Sequence, residues 1–72
     1  MTRIVEPVYR KIGKRMRKFR EHSGMTQLDV AVRSRTSRAH IANMERGEER
    51  IRIHTLANVA KALGVHLGWF FD

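Results

Sequence analysis

Cysteine is absent from the 72 residues, so neither disulfides nor thiolate metal sites are available to this chain. Proline occurs once, at Pro7, and no apolar run approaches the ~20 residues that a membrane-spanning helix requires. The most apolar stretch, 65–71, is itself interrupted by His66 and Gly68. The first residues mix Arg3 and Glu6 with apolar positions and lack a signal-peptide core. Acidic residues are also scarce, at 7 against 15 lysines and arginines, which leaves a formal net charge of +8. Eight of the 15 cations fall in the first 20 positions, opposed there by Glu6 alone. Such an excess implies a polyanionic partner, with nucleic acid ahead of an anionic membrane surface.

The apolar residues recur at helical spacing. Pro7 suits the first position of a helix, where its missing N–H costs nothing. Val8, Tyr9, Ile12, Met16 and Phe19 then follow at intervals compatible with one helix face. Ser23 and Gly24 end that helix. Thr26 caps a second, short helix with Val30 and Ala31 turned inward. Residues 34–37 read as a break, after which Ser37 caps a third helix with Ile41 and Met44 on its buried side and Gly47 at its end. Ile53, Leu56, Val59, Ala60 and Leu63 form a fourth stripe closed by Gly64, and residues 65–71 suggest a last short helix. No strand alternation is visible. The expectation is an all-α domain of five helices over residues 7–72, preceded by an N-terminal arm at 1–6.

Two short helices joined by a tight turn, the second polar on one side, describe a helix-turn-helix unit, here about 27–46. The geometry requires a small residue where the two helices touch, for which Ala31 is placed, and apolar anchors behind the second helix, for which Ile41 and Met44 serve. Positions 38, 39, 42 and 43 share the opposite face. Arg38 offers two hydrogen bonds to guanine, Asn43 the equivalent to adenine, and Ala39 a methyl for thymine.

Residues 12–20, the group Gly24, Met25, Thr26 and Gln27, residues 37–47 and residues 56–65 together resemble the Cro/repressor-type helix-turn-helix family, the xenobiotic-response-element class, across 10–71. Short phage repressors and restriction-modification controller proteins are similar. The resemblance implies a compact lambda-repressor-like domain and a sequence-specific transcriptional regulator, repressor or autoregulator. It implies base contacts from Arg38, Ala39, Asn43 and His40, and phosphate contacts from Gln27, Ser37, Arg46, Arg50 and Arg35. It also implies a partly buried ion pair between Arg20 and Glu45. Arg35 stands where the family favours glycine, Ser34 and Thr36 stand where it favours apolar residues, and Arg52 stands where a Ser or Thr cap is usual.

A half-site reader of this class implies a homodimer on near-palindromic double-stranded DNA, for which Trp69, Phe70 and Phe71 are the candidate interface. No cofactor or metal is expected. His22, His40, His54 and His66 never stand four apart, and no nucleophile has a base beside it. An enzyme is therefore disfavoured, and a membrane-surface peptide fits only the first helix. The alternative is an antitoxin or other interaction module of the same fold, which binds a toxin as well as its own operator. A cytoplasmic, nucleoid-associated protein of a bacterium or phage is the expected setting.

Overall fold

The computed structural model describes residues 6–71. These contain four α-helices and one 3-10 turn, with no strand among the described residues: α1 Pro7–His22, α2 Gln27–Ser34, α3 Arg38–Glu45, α4 Ile53–Leu63 and the 3-10 turn Leu67–Phe70. No helix among them is long and apolar enough to cross a membrane. The arm expected at 1–6 lies outside the described residues except for Glu6. That residue is the N-cap of α1 and also sits 3.5 Å from Arg50 Nη2.

Local chemistry accounts for where each helix starts and stops. Pro7 opens α1, and the Ser23 N–H and hydroxyl both bond to the Phe19 carbonyl at its end, at 3.0 and 2.8 Å. Thr26 caps α2 through a reciprocal pair: its hydroxyl accepts from the Asp29 N–H, and the Asp29 carboxylate accepts from the Thr26 N–H, at 3.0 and 2.9 Å. The Thr26 bonds favour the ionised form of Asp29 and hold its carboxyl below the ordinary pKa. Ser37 caps α3 by accepting from the His40 N–H at 3.0 Å. Arg52 precedes α4 without a side-chain cap bond.

α2 and α4 end in the same way. In α4 the Val65 N–H reaches back to the Ala60 carbonyl at 3.0 Å around left-handed Gly64 (φ 72°, ψ 30°). In α2 the Thr36 N–H reaches the Ala31 carbonyl at 2.9 Å around Arg35, also left-handed at φ 60°, ψ 44°. The first uses the residue that adopts this geometry freely; the second forces a Cβ-bearing residue into it.

α3 packs on α1 and α2, α2 packs on α4, and the 3-10 turn closes against α1 and α4. The core consists of Ile12, Met16, Val30, Ala31, Ile41, Met44, Ile51, Leu56, Val59, Ala60, Leu63 and Phe70. Three expectations are corrected. The fifth helix is one 3-10 turn: the Trp69 and Phe71 N–H groups bond three residues back, to the His66 and Gly68 carbonyls at 3.0 and 3.1 Å, and Gly68 weakens any α-helical alternative. Ile53 is 64% exposed at the first turn of α4, and Ile51 in the preceding loop enters the core instead. Val8 is likewise exposed.

Candidate nucleic-acid interface

The inner face of α3 is fixed by Ile41 and Met44, both fully buried, and by the Glu45 carboxylate. Its outer face carries Arg38 and Ala39, both exposed, with Ala42 and Asn43 half-buried beside them. The close seat of α3 depends on Gly13 in α1. A Cβ added there would lie 2.7 Å from the Glu45 carbonyl oxygen and would also meet the Met44 carbonyl. Sequence reasoning placed the small contact residue at Ala31 and missed Gly13, although a glycine inside a helical pattern is the signal that marks such an approach.

A polar chain links this contact to the outer face. Arg20 donates to both Glu45 oxygens, Nε to Oε2 at 2.6 Å and Nη2 to Oε1 at 3.1 Å, and through Nη1 to the Met25 carbonyl at 3.0 Å. The bond to Glu45 raises the Arg20 pKa against the opposing effect of burial. Gln27 Nε2 donates to Glu45 Oε1 at 3.1 Å, and Gln27 Oε1 accepts from Arg38 Nη1 at 3.3 Å. One buried carboxylate thereby orders the start of α2 and the first residue of α3.

The candidate DNA-contacting residues do not all group together. Arg38, Ala39, Asn43, Gln27 and Ser37 lie on or beside the outer face of α3, with Arg46 just past its last residue. Arg46 is not independent of Asn43: its Nη2 donates to Asn43 Oδ1, while its Nε donates to Glu48 Oε1 at 2.8 Å. His40 turns toward its own neighbours. Its Nδ1 lies 2.7 Å from Thr36 Oγ1, and its Nε2 lies 2.9 Å from Glu49 Oε1. Arg50 extends from the loop toward Glu6. Arg35 is grouped with Arg33, Asn58 and Lys61 between α2 and α4.

The three aromatics named as a dimer surface divide. Phe70 is fully buried and meets Phe19 edge-on with ring centroids 5.4 Å apart, so it belongs to the core. Trp69 and Phe71 are 45% and 44% exposed. Arg15 and Lys11 hold the turn that carries them by donating to the carbonyls of Trp69 and Phe71. Ser34, set where an apolar residue is usual, is buried with its hydroxyl satisfied by the Val30 carbonyl at 2.6 Å. Among the described residues no group of three His, Asp or Glu side chains is placed to hold a metal ion.

A capped, exposed helix braced by a second short helix through a tight turn defines a helix-turn-helix domain. The chain belongs to the helix-turn-helix family, whose model matches residues 16–70. It is 35% identical over 54 residues to y4dJ, an uncharacterized HTH-type transcriptional regulator of Sinorhizobium fredii, a match covering 75% of this chain and 70% of that one. It is 36% identical over 71 residues to an uncharacterized transcriptional regulator in the ATPase CF(0) region of Rhodospirillum rubrum, covering 99% of this chain and 66% of that one. The immunity repressor of Bacillus phage phi105 is 32% identical over 56 residues, covering 78% of this chain and 39% of the repressor. Among solved structures, the clp gene regulator ClgR of Corynebacterium glutamicum superposes with a TM-score of 0.87 at 31% identity, covering 92% of this chain and 87% of ClgR. The restriction-modification controller C.Esp1396I, as a tetramer on its 35-base-pair operator, does so with a TM-score of 0.84 at 32% identity, covering 92% and 87%.

Proposed function

We propose that this chain represses or autoregulates transcription by binding an operator, with α3 lying in the major groove of double-stranded DNA. It is a DNA-binding transcriptional regulator. The observation that carries the finer reading is the projection of Arg38, Ala39 and Asn43 from one face of a helix whose opposite face is locked by Ile41 and Met44. The groove admits one helix, and the residues on its outer face meet the base edges.

Arg38 contacts guanine, Ala39 the thymine methyl, and Asn43 adenine; His40 joins the set only on releasing Thr36 or Glu49. Asn43 Oδ1 retains a second lone pair beside the Arg46 bond, and its two N–H donors are available. Gln27, Ser37, Arg46, Arg50 and Arg35 are the phosphate contacts. The domain covers one half-site and acts as a homodimer, with Trp69 and Phe71 at the seam and a near-palindromic operator. The repressor among its relatives and the operator-bound controller among its structural neighbours support this reading.

Selection from random duplexes tests it. The expected product is a two-fold-related pair of half-sites, bound with an affinity that falls steeply with salt. Arg38→Ala and Asn43→Ala should each relax preference at a different base pair, at a cost of about 1–3 kcal/mol. Recovery of no common sequence, or equal loss on every sequence, would sink the base-reading assignment.

A further inference from the structure

Arg35 is the one described residue other than glycine with a positive φ. Its side chain lines an open cleft of about 500 Å³, together with Arg33, Ser34, Asn58, Lys61 and Ala62. Three cations from α2, its terminal turn and α4 therefore share one concavity, and no carboxylate lines it. The described acids are committed elsewhere: Glu6 near Arg50, Glu21 on Arg17, Glu45 on Arg20, Glu48 on Arg46 and Glu49 beside His40. Asp29 caps α2, and its charge is felt by Arg33 one turn away. Arg35 and Lys61 make no ion pair among the described residues.

Cations in the last turn of a helix complement its free carbonyls, which accounts for Arg33 and Lys61 one at a time. It does not account for Arg35. The same terminal hydrogen-bond pattern is made at Gly64 with no Cβ to strain it. At residue 35 the chain keeps a strained backbone, and with it a third cation lining the cleft. Strained residues cluster at functional sites, which directs attention to the cations gathered around this one. Converging cations in one concavity raise the local concentration of anions. Two guanidinium forks match the paired oxygens of a phosphate, and the Asn58 amide adds neutral donors. A volume of about 500 Å³ falls in the range of small-molecule sites.

We propose that the cleft formed by Arg33, Arg35, Asn58 and Lys61 binds a phosphate-bearing anion, at a place separate from the outer face of α3. The phosphate comes from a free di- or triphosphate or from a DNA backbone.

The test is a titration of the isotope-labelled full chain with inorganic pyrophosphate at constant ionic strength, with chloride as the control. Amide shifts should concentrate at Arg33, Arg35, Asn58 and Lys61, and Tm should rise with pyrophosphate but not with chloride. Arg35→Gly should weaken binding about tenfold, the loss of one charge-assisted contact, and Lys61→Ala should act similarly. Glycine is the residue the left-handed turn favours, so loss of binding in Arg35→Gly is not loss of fold. Arg38→Ala should bind pyrophosphate as the parent does. Shifts spread evenly over Lys11, Lys14, Lys18 and Arg38, or unchanged binding by Arg35→Gly, would overturn the proposal. Addition of a short mixed-sequence duplex then separates the sources: displacement of pyrophosphate from these residues assigns the site to a backbone phosphate, extending the Arg35 contact of the proposed function, and coexistence assigns it to a free anion and removes Arg35 alone from the proposed DNA contacts. Neither arm depends on α3 reading bases.

Discussion

Arg20 grips Glu45 through two nitrogens across the α1–α3 contact, with side chains only 13% and 4% exposed. An exposed pair of this kind is worth at most about 1 kcal/mol. Here, removal of the arginine strands a carboxylate that is almost entirely out of water. Arg20→Ala should therefore cost about 3 kcal/mol and lower Tm by more than about 10 °C in a domain of this size. A thermal melt within a degree or two of the parent would reduce the pair to a surface contact.

Gly13→Ala sets two effects against each other. Alanine is favoured over glycine in a helix by about 1 kcal/mol. Its Cβ, however, would sit 2.7 Å from the Glu45 carbonyl oxygen, a backbone atom with no rotamer to escape into. Overpacking of this kind costs about 1–3 kcal/mol, so a net loss is expected, with α1 and α3 pushed apart. Urea unfolding should show a lower midpoint at unchanged slope. A raised midpoint would mean that the helices are not in close contact here.

Arg35→Gly should be stabilising. Relief of left-handed strain gives back about 1–2 kcal/mol, partly offset by the greater freedom of glycine in the unfolded chain, about 0.5–1 kcal/mol. A gain of roughly 0.5–1 kcal/mol in denaturant is the expected outcome. A loss would show that the Arg35 side chain contributes more to the fold than its backbone costs.

The cap of α2 is expected to titrate. The Thr26 bonds depress the folded-state pKa of Asp29. Its contribution to stability is therefore present above the unfolded-state pKa, about 3.9, and is lost as pH falls through the lower folded value. A carboxyl-carbon titration followed by NMR should place the Asp29 midpoint below the ordinary one. A midpoint at or above it would mean that the reciprocal cap does not persist in solution.

Adjacent phenylalanines should behave oppositely. Phe70→Ala empties a fully buried site and should cost about 3–5 kcal/mol, enough to unfold much of a marginally stable domain. Phe71→Ala, at a position 44% exposed, should change stability by no more than about 0.5 kcal/mol and should weaken self-association in sedimentation. Similar losses of stability from both would show that the 3-10 turn packs differently from the structure.

Much of the architecture was legible from local signals. Thr26 and Ser37 each accept the N–H that their position as caps implies, and Gly24 and Gly64, read as helix ends, both take left-handed geometry. The spacing of Ile41 and Met44 on α3 placed Arg38 and Asn43 on the other side, because a helix repeats every 3.6 residues whatever surrounds it. Other assignments could not be made that way. Trp69, Phe70 and Phe71 are consecutive, and no period distinguishes them; only the docking of the turn onto Phe19 decides that Phe70 goes inside. Ile53 satisfied the stripe of α4 yet faces solvent, while Ile51 enters the core from the loop. The bond from Arg46 to Asn43 and the turning of His40 toward Glu49 depend on where the loop after α3 returns.

Taken alone, the chain's own chemistry determined its positive charge, its all-helical character and the limits of its helices, since these follow from interactions within a few residues. The tertiary structure decided what no neighbour along the chain encodes: that Gly13 admits α3, that Glu45 is buried against Arg20, and that Arg35 meets Lys61 across a cleft. Those outcomes depend on the distances and angles at which separate helices settle. They emerge only when all the apolar stripes are buried at once.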